Sequence, residues 1–224
     1  EMSASLVGSE MCIRDRPAAI SVTIGHLMMA QIDDEELPAP EEYIMSRNGV
    51  DFIPSSMVLS AVDAKLRLEM GAEKMLAGIL DSLREKYDAI IIDTAPALGA
   101  LNINALAAAD EVIITVNPQL LAMMGLQDFL KTVKKIKSRI NDKLDVAGIL
   151  LTMCDVRTNL CKVITEQVTD TFEGQIRIFG SKIPNTVKVG ESVYYSEPLL
   201  EYAPECKACE AYENLAKELI AYEG

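Results

Sequence analysis

No apolar run in the 224 residues approaches the ~20 needed for a membrane-spanning helix, so the sequence offers no helical membrane span. Histidine occurs once, as His26, and the five cysteines (Cys12, Cys154, Cys161, Cys206 and Cys209) show no disulfide-framework spacing, which fits a reducing cytosol. Cys206 and Cys209 form a C-x-x-C. No second cysteine pair and no histidine pair accompanies it, and zinc sites want four ligands, so neither a metal nor a redox role is expected there. Positive charge is also scarce: 21 Lys and Arg stand against 34 Asp and Glu, a net charge of −13, which argues against a protein coated with nucleic acid.

What the chain does have is an apolar half, enough to bury a core in one large domain. Its charge is unevenly distributed. Between Lys131 and Lys188 there are 11 Lys and Arg against 6 Asp and Glu, leaving 10 against 28 elsewhere, so an acidic protein carries a basic middle able to attract anions. The opening, SASLVGSEMCIRDRPAAIS, has neither apolar periodicity nor a turn cluster, and it lacks the continuous apolar run of a signal peptide. Ser5–Arg16 resembles the conceptual translation of a sequencing adapter, so the expected organisation is a non-native segment over 1–16 and a domain over 17–224.

Along the rest of the chain, strand and helix patterns alternate. A short helical pattern covers 22–29, and GVDFIPSS reads as a strand stopped by Pro54. Helices are expected over 57–69 and 72–86. YDAIIIDTAP then sets four apolar residues before Asp93, the pattern of a strand buried on both faces of a parallel sheet. A helix over 103–109, a strand over 111–116, a helix over 120–140, a strand over 146–153, a helix over 159–172, a strand over 176–183 and helices over 186–194 and 206–222 complete the alternation. This is an α/β fold, a mostly parallel sheet covered by helices on both faces.

In such sheets ligands bind beyond the carboxyl ends of the strands. That position selects Asp93, Thr94, Ala95, Pro96 and Gly99; Asn117 and Pro118; Thr152, Met153, Cys154 and Asp155; and Pro184 and Asn185. An aspartate closing an apolar strand has the form of a Walker B carboxylate that helps hold Mg²⁺, and equally that of a plain turn-former; Asp93 alone does not decide between them.

The surrounding blocks add a resemblance. YDAIIIDTAPALGALNINALAAADEVIITV is similar, nearly position by position, to the Walker B and switch II region of the ParA/Soj partitioning ATPases. GVDFIPSSMVLSAVD, GILLTMCDVRTNL, KIPNTVKVGES and ACEAYENLAKEL resemble further family blocks in collinear order, from about 22 to 222. The resemblance implies a P-loop NTPase-like fold, ATP and Mg²⁺ as cofactors, Asp93 as the catalytic and metal-linked carboxylate, and Thr94, Pro96 and Gly99 in a γ-phosphate switch. It puts Thr152, Met153, Asp155, Pro184 and Asn185 in an adenine pocket, and Arg157 and Lys188 on non-specific DNA. It further implies an ATP-bound homodimer, a ParB-like partner protein that stimulates hydrolysis, and a cytoplasmic, nucleoid-associated setting. No membrane partner is expected, because the closing helix lacks a basic amphipathic anchor. The run Lys131–Arg139 could extend the basic patch, although charge runs on helices are more often solvated faces.

The family's deviant P-loop, K-G-G-x-G-K-T, is missing. No Gly-Lys-Ser/Thr sequence occurs, and Gly180-Ser181-Lys182 lacks the spacing, so nothing in the chain turns N–H groups and a lysine onto phosphates. The expected fold therefore lacks the N-terminal P-loop strand and helix and leaves its neighbouring strands unpaired. The expected function is partitioning of a chromosome or plasmid by an ATPase of which this chain is an inactive form. The rival is a non-enzymatic remnant or regulator that binds protein or DNA without nucleotide.

Overall fold

The computed structural model describes residues 4–7, 22–95, 98–155 and 157–223. It divides into two units, one comprising residues up to Asp110 together with Ile136–Leu144, the other Glu111–Lys135 with Asp145–Gly224.

In the first unit four strands, β1 (Ala4–Val7), β2 (Met45–Arg47), β3 (Val50–Ile53) and β4 (Ala89–Ile92), hydrogen-bond in the order β2-β3-β1-β4. β1 lies parallel to both neighbours, and β2 is antiparallel to β3. Asn48 and Gly49 both have positive φ, the backbone geometry of the two-residue hairpin loops that join paired strands tightly. The expectation of two strands facing an empty central position is corrected here: Ala4–Val7 fills it, pairing with Asp51–Ile53 on one side and Ala89–Ile92 on the other. The four residues come from the stretch without periodicity, and a central parallel strand is held by backbone bonds that any non-proline sequence can make.

Helices α1 (Ile24–Ile32), α3 (Val58–Leu66) and α4 (Met75–Asp81) close a core around Leu27, Ile53, Val62 and Ile79, all fully buried. A short helix α2 (Pro40–Tyr43) precedes β2. The apolar residues of α1 and α4 recur at three- and four-residue intervals, which lays them on one side of each helix. His26 is spent locally: its Nδ1 accepts from the backbone N–H of Thr23 at 3.2 Å in a capping box at the start of α1. β4 departs from the sequence reading. Ile91 is 51% exposed, so β4, the end strand of this four-stranded sheet, is not covered on both faces along its whole length.

In the second unit β5 (Glu111–Val116), β6 (Asp145–Cys154) and β7 (Ile178–Pro184) are all parallel, in the order β5-β6-β7. Ile149 and Leu151 of β6 pack into a cluster with Ile114, Val116, Ile164 and Val168, while Leu150 joins Phe179, Ile183 and Leu215 on the opposite face. That two-sided burial explains the continuous apolar run of β6. Gly148 permits the close approach of β7: a Cβ there would meet the Arg177 carbonyl and the Phe179 ring at 2.9 Å. Helix α7 (Asn159–Phe172) buries Cys161, Ile164, Val168 and Phe172, an i, i+3, i+7, i+11 stripe, and Thr158 caps it by accepting from the Cys161 N–H. Helix α10 (Lys207–Glu223) packs against β7. Helices α5 (Ala100–Ala108), α6 (Leu120–Arg139), α8 (Val187–Tyr195) and α9 (Leu199–Tyr202) complete the order.

Candidate functional site

β4 ends at Ile92, and the chain leaves the sheet at Asp93, Thr94 and Ala95, all exposed. Surrounding protein bulk pushes the Asp93 carboxyl above the usual range, and a hydrogen bond from the Thr94 backbone acts against that push. Pro96 lies outside the described residues. Gly99 reappears as the N-cap of α5 in extended geometry; a Cβ on it would stand 3.1 Å from Asp63 Oδ1 of α3.

Three residues that the sequence did not single out lie at this loop, and one of them holds it. Asn102, buried in the first turn of α5, donates its side-chain N–H to the Ala95 carbonyl at 2.8 Å. One turn away in space, Asp63 is bound by Arg67 Nη2 at 2.6 Å, which fixes the carboxylate beside Gly99. A cavity of about 360 Å³ opens next to Gly99, lined by Leu66, Arg67, Glu73, Leu98 and Ile103 among others. The available signal was the polarity of Asn102, with Asn104, inside a helix whose other residues are apolar, ALNINALAA.

In the second unit the ends of β6 and β7 come together. Cys154 pairs with Pro184, and its carbonyl accepts the Asn185 N–H at 3.0 Å, so Thr152, Met153 and Asp155 share one sheet end with Pro184 and Asn185. Met153 turns out of the ladder with φ +53° and is 63% exposed, and Asn117 at the end of β5 reaches its sulfur at 3.8 Å. A non-glycine residue with positive φ at a strand end is the kind of local strain that clusters at binding sites.

Neither candidate DNA-contacting residue stands alone. Arg157 donates from Nε to Asp155 Oδ1 at 2.9 Å and from Nη2 to Oδ2 at 3.1 Å, and these bonds hold the Asp155 carboxyl below its usual range. Lys188, in the first turn of α8, donates to Glu191 at 2.8 Å and lies 5.6 Å from the Tyr202 ring centre; Tyr202 donates to the same carboxylate oxygen at 3.0 Å. Along α6, Val133 and Ile136 are buried while Lys131, Lys134, Lys135, Lys137 and Arg139 are exposed, the arrangement of a solvated helix face.

The fit of a nucleoside triphosphate with Mg²⁺ differs between its two ends. Mg²⁺ keeps several waters and takes one or two carboxylates plus phosphate oxygens, a demand that exposed Asp93 can meet. Phosphate binding finds no cradle among the described residues. Gly180-Ser181-Lys182 lies inside β7, and the N–H groups of Gly180 and Ser181 both go to the Glu218 carboxylate, at 2.9 and 2.7 Å. Among the described residues no cluster of three or more His, Cys, Asp or Glu could hold a metal by itself, and no helix is long and apolar enough to cross a membrane.

Residues 9–146 match the AAA domain family. The chromosome-partitioning ATPase Soj of Treponema pallidum is 39% identical over 172 residues, covering 77% of this chain and 67% of that protein. The sporulation initiation inhibitor protein Soj of Bacillus subtilis is 36% identical over the same shares of the two chains. Among solved structures, cobyrinic acid a,c-diamide synthase from Mycobacterium smegmatis, with bound ATP analogue and magnesium, aligns with a TM-score of 0.80 at 25% identity, over 98% of this chain and 82% of that one.

Proposed function

The chain belongs to the ParA/Soj family of partitioning ATPases, and from that premise we propose that its role is the segregation of a chromosome or plasmid. In this reading an ATP-bound homodimer holds DNA non-specifically, and a ParB-like partner stimulates hydrolysis and release. Asp93 helps place Mg²⁺, and Thr94, Pro96 and Gly99 form the switch that senses the γ-phosphate. Thr152, Met153, Asp155, Pro184 and Asn185 enclose the adenine, and Arg157 with Lys188 contacts DNA phosphates. The observation that carries the reading is the position of Asp93: an exposed carboxylate directly beyond a parallel strand, on a loop anchored by Asn102.

Phosphoryl transfer depends mostly on positioning and charge neutralisation, and the family's P-loop lysines supply both. The polypeptide as written has no such loop, so it does not itself hold ATP. Segment 1–16 is read as non-native in sequence, although its Ala4–Val7 stretch takes the central strand position between β3 and β4.

The test compares the chain as written with a form in which a family P-loop strand, loop and helix replace residues 1–16. The chain as written should show no micromolar affinity for a fluorescent ATP analogue with Mg²⁺. The replaced form should bind and hydrolyse ATP, and Asp93→Ala should abolish hydrolysis while binding persists. Micromolar binding by the chain as written, or hydrolysis indifferent to Asp93→Ala, defeats the assignment.

A further inference from the structure

α10 begins at Lys207, which puts Cys206 at its N-cap and Cys209 in its first turn. The two sulfurs are 3.1 Å apart, and the Cys209 N–H donates to Cys206 Sγ at 3.3 Å. Their surroundings differ. Cys206 is partly open to solvent, whereas Cys209 is buried with its sulfur 3.0 Å from the Ala203 carbonyl. We propose that Cys206 and Cys209 form a hydroperoxide-reactive dithiol, with Cys206 the attacking sulfur and Cys209 the one that resolves it, closing to an intramolecular disulfide. This inference does not depend on the nucleotide or DNA assignments.

The electrostatics run the same way as the geometry. Burial works against a thiolate at Cys206. It is outweighed by hydrogen bonds from the Cys209 thiol and from the Cys209 and Ala208 N–H groups, with the Lys188 charge nearby, and the Cys206 pKa falls below its ordinary value. Burial pushes Cys209 up to about 11, so it stays a thiol until its turn comes. A lowered, accessible thiol at a helix start beside a protonated partner is the arrangement that makes one cysteine of a C-x-x-C nucleophilic. The other pair among the described cysteines, Cys154 and Cys161, is buried, and Cys154 is likewise pushed up to about 11, which leaves it unreactive in the folded chain.

The chemistry balances without a further reagent. The Cys206 thiolate, its proton already released to solvent, attacks one oxygen of a hydroperoxide. The O–O bond breaks, a sulfenic acid forms, and the alkoxide or hydroxide leaves and takes up a proton. The Cys209 sulfur then attacks the sulfenic sulfur. The S–O bond breaks, and hydroxide leaves as water with the Cys209 proton. Two thiols have been oxidised and one hydroperoxide reduced to an alcohol, or to water, plus water.

The test uses the full chain, treated with hydrogen peroxide, quenched with iodoacetamide, digested with trypsin and weighed. Trypsin cuts after Lys207, so the disulfide should appear as two linked peptides that separate on reduction, with Cys154 and Cys161 alkylated once the chain is unfolded. Cys209→Ser should leave a Cys206 sulfenic acid that dimedone traps. Cys206→Ser keeps an N-cap oxygen, so it folds, and it should leave Cys209 fully alkylatable. Linked peptides absent from the wild type after peroxide, or Cys209 oxidised as fast in Cys206→Ser as in the wild type, would overturn the proposal and leave Cys206 as a helix cap alone.

Discussion

The Asn102 side chain donates its hydrogen bond to the Ala95 carbonyl at 2.8 Å, tying the first turn of α5 to the loop that carries Asp93. The donor is buried and the acceptor lies in an exposed loop, so the bond restrains the loop more than it supports the core. Asn102→Ala should therefore lower stability by only about 0.5–1.5 kcal/mol, the net worth of one such bond. Amide hydrogen exchange at 93–95 should quicken markedly, while exchange in β3 stays as it was. A loss of stability well above that range, with loop exchange unchanged, would show that Asn102 serves packing.

Asp93 gives a pH-dependent signal that separates its two readings. Its folded pKa is raised, so above that value the ionised carboxylate is less favourable in the folded chain than in the unfolded one, and the penalty disappears below the unfolded value of about 3.9. Asp93→Asn should raise the urea midpoint at pH 7, by less than about 1 kcal/mol because the group is exposed and water screens it. The gain should fade as the pH falls through the raised folded value and be gone below about 3.9, the ordinary value for aspartate. If Asp93→Asn is instead less stable at pH 7, the carboxylate is a turn-former.

Much of the architecture was legible because buried parallel strands and amphipathic helices write strong patterns. The strand over 111–116 and the helix over 159–172 have the bounds read from sequence, and those over 146–153 and 206–222 shift by about a residue. The helix expected over 72–86 is instead a 3-10 turn followed by α4, which ends at Asp81, since apolar spacing marks a face and not a stop. β1 was not legible at all, because its place depends on backbone pairing with β3 and β4 and not on its own side-chain pattern. At the candidate site the sequence singled out Asp93, Asp155, Arg157 and Lys188. It did not reveal the Asp155–Arg157 and Lys188–Glu191 pairs, because partners at exposed positions are chosen by local geometry that no periodicity records.

Those pairs bear on the proposed DNA contact. If Lys188 takes a DNA phosphate it must give up Glu191, so Glu191→Gln should strengthen binding to DNA of any sequence at low salt, and Lys188→Ala should weaken it. Each lost phosphate contact lowers the slope of log affinity against log salt by about one unit, so Arg157→Ala combined with Lys188→Ala should reduce it by about two. Fluorescence anisotropy across a salt series reads both quantities. An unchanged slope would reduce the two residues to ordinary surface cations.

Glu218 pins the free edge of β7 through Gly180 and Ser181. Burial opposes its ionisation, but the Ser181 hydroxyl, the Gly180 and Ser181 N–H groups and Arg177 outweigh burial and depress its pKa. The stabilisation is therefore complete above the unfolded value of about 4.3 and is lost as the pH falls through the lower folded value. Glu218→Gln keeps an acceptor and removes the charge. It should be less stable than the wild type at pH 7 by about 1 kcal/mol, with the difference closing in acid. A difference that stays constant down to pH 2 would mean that the charge contributes nothing.

The place of β1 yields the last expected outcome. Three of its residues are in register with β3 and four with β4, all parallel, so Ala4–Val7 supplies the ladder on both sides of the centre of the first sheet. Each backbone hydrogen bond is worth about 0.5–1.5 kcal/mol net, and a domain is stable by only about 5–15 kcal/mol. Deleting residues 1–7 would remove the ladder and bare strand edges on β3 and β4, which invite pairing between molecules. The deleted chain should lose the cooperative unfolding of the first unit and aggregate as its concentration rises. Hydrogen exchange should still protect β6, whose partners β5 and β7 lie in the second unit. Replacing Leu6 with proline makes the same test without shortening the chain, since proline removes a donor and is poorly tolerated within a central strand. If both variants unfold in one cooperative transition with the parent's midpoint, the sheet stands without Ala4–Val7, and these residues occupy the slot between β3 and β4 without supporting it.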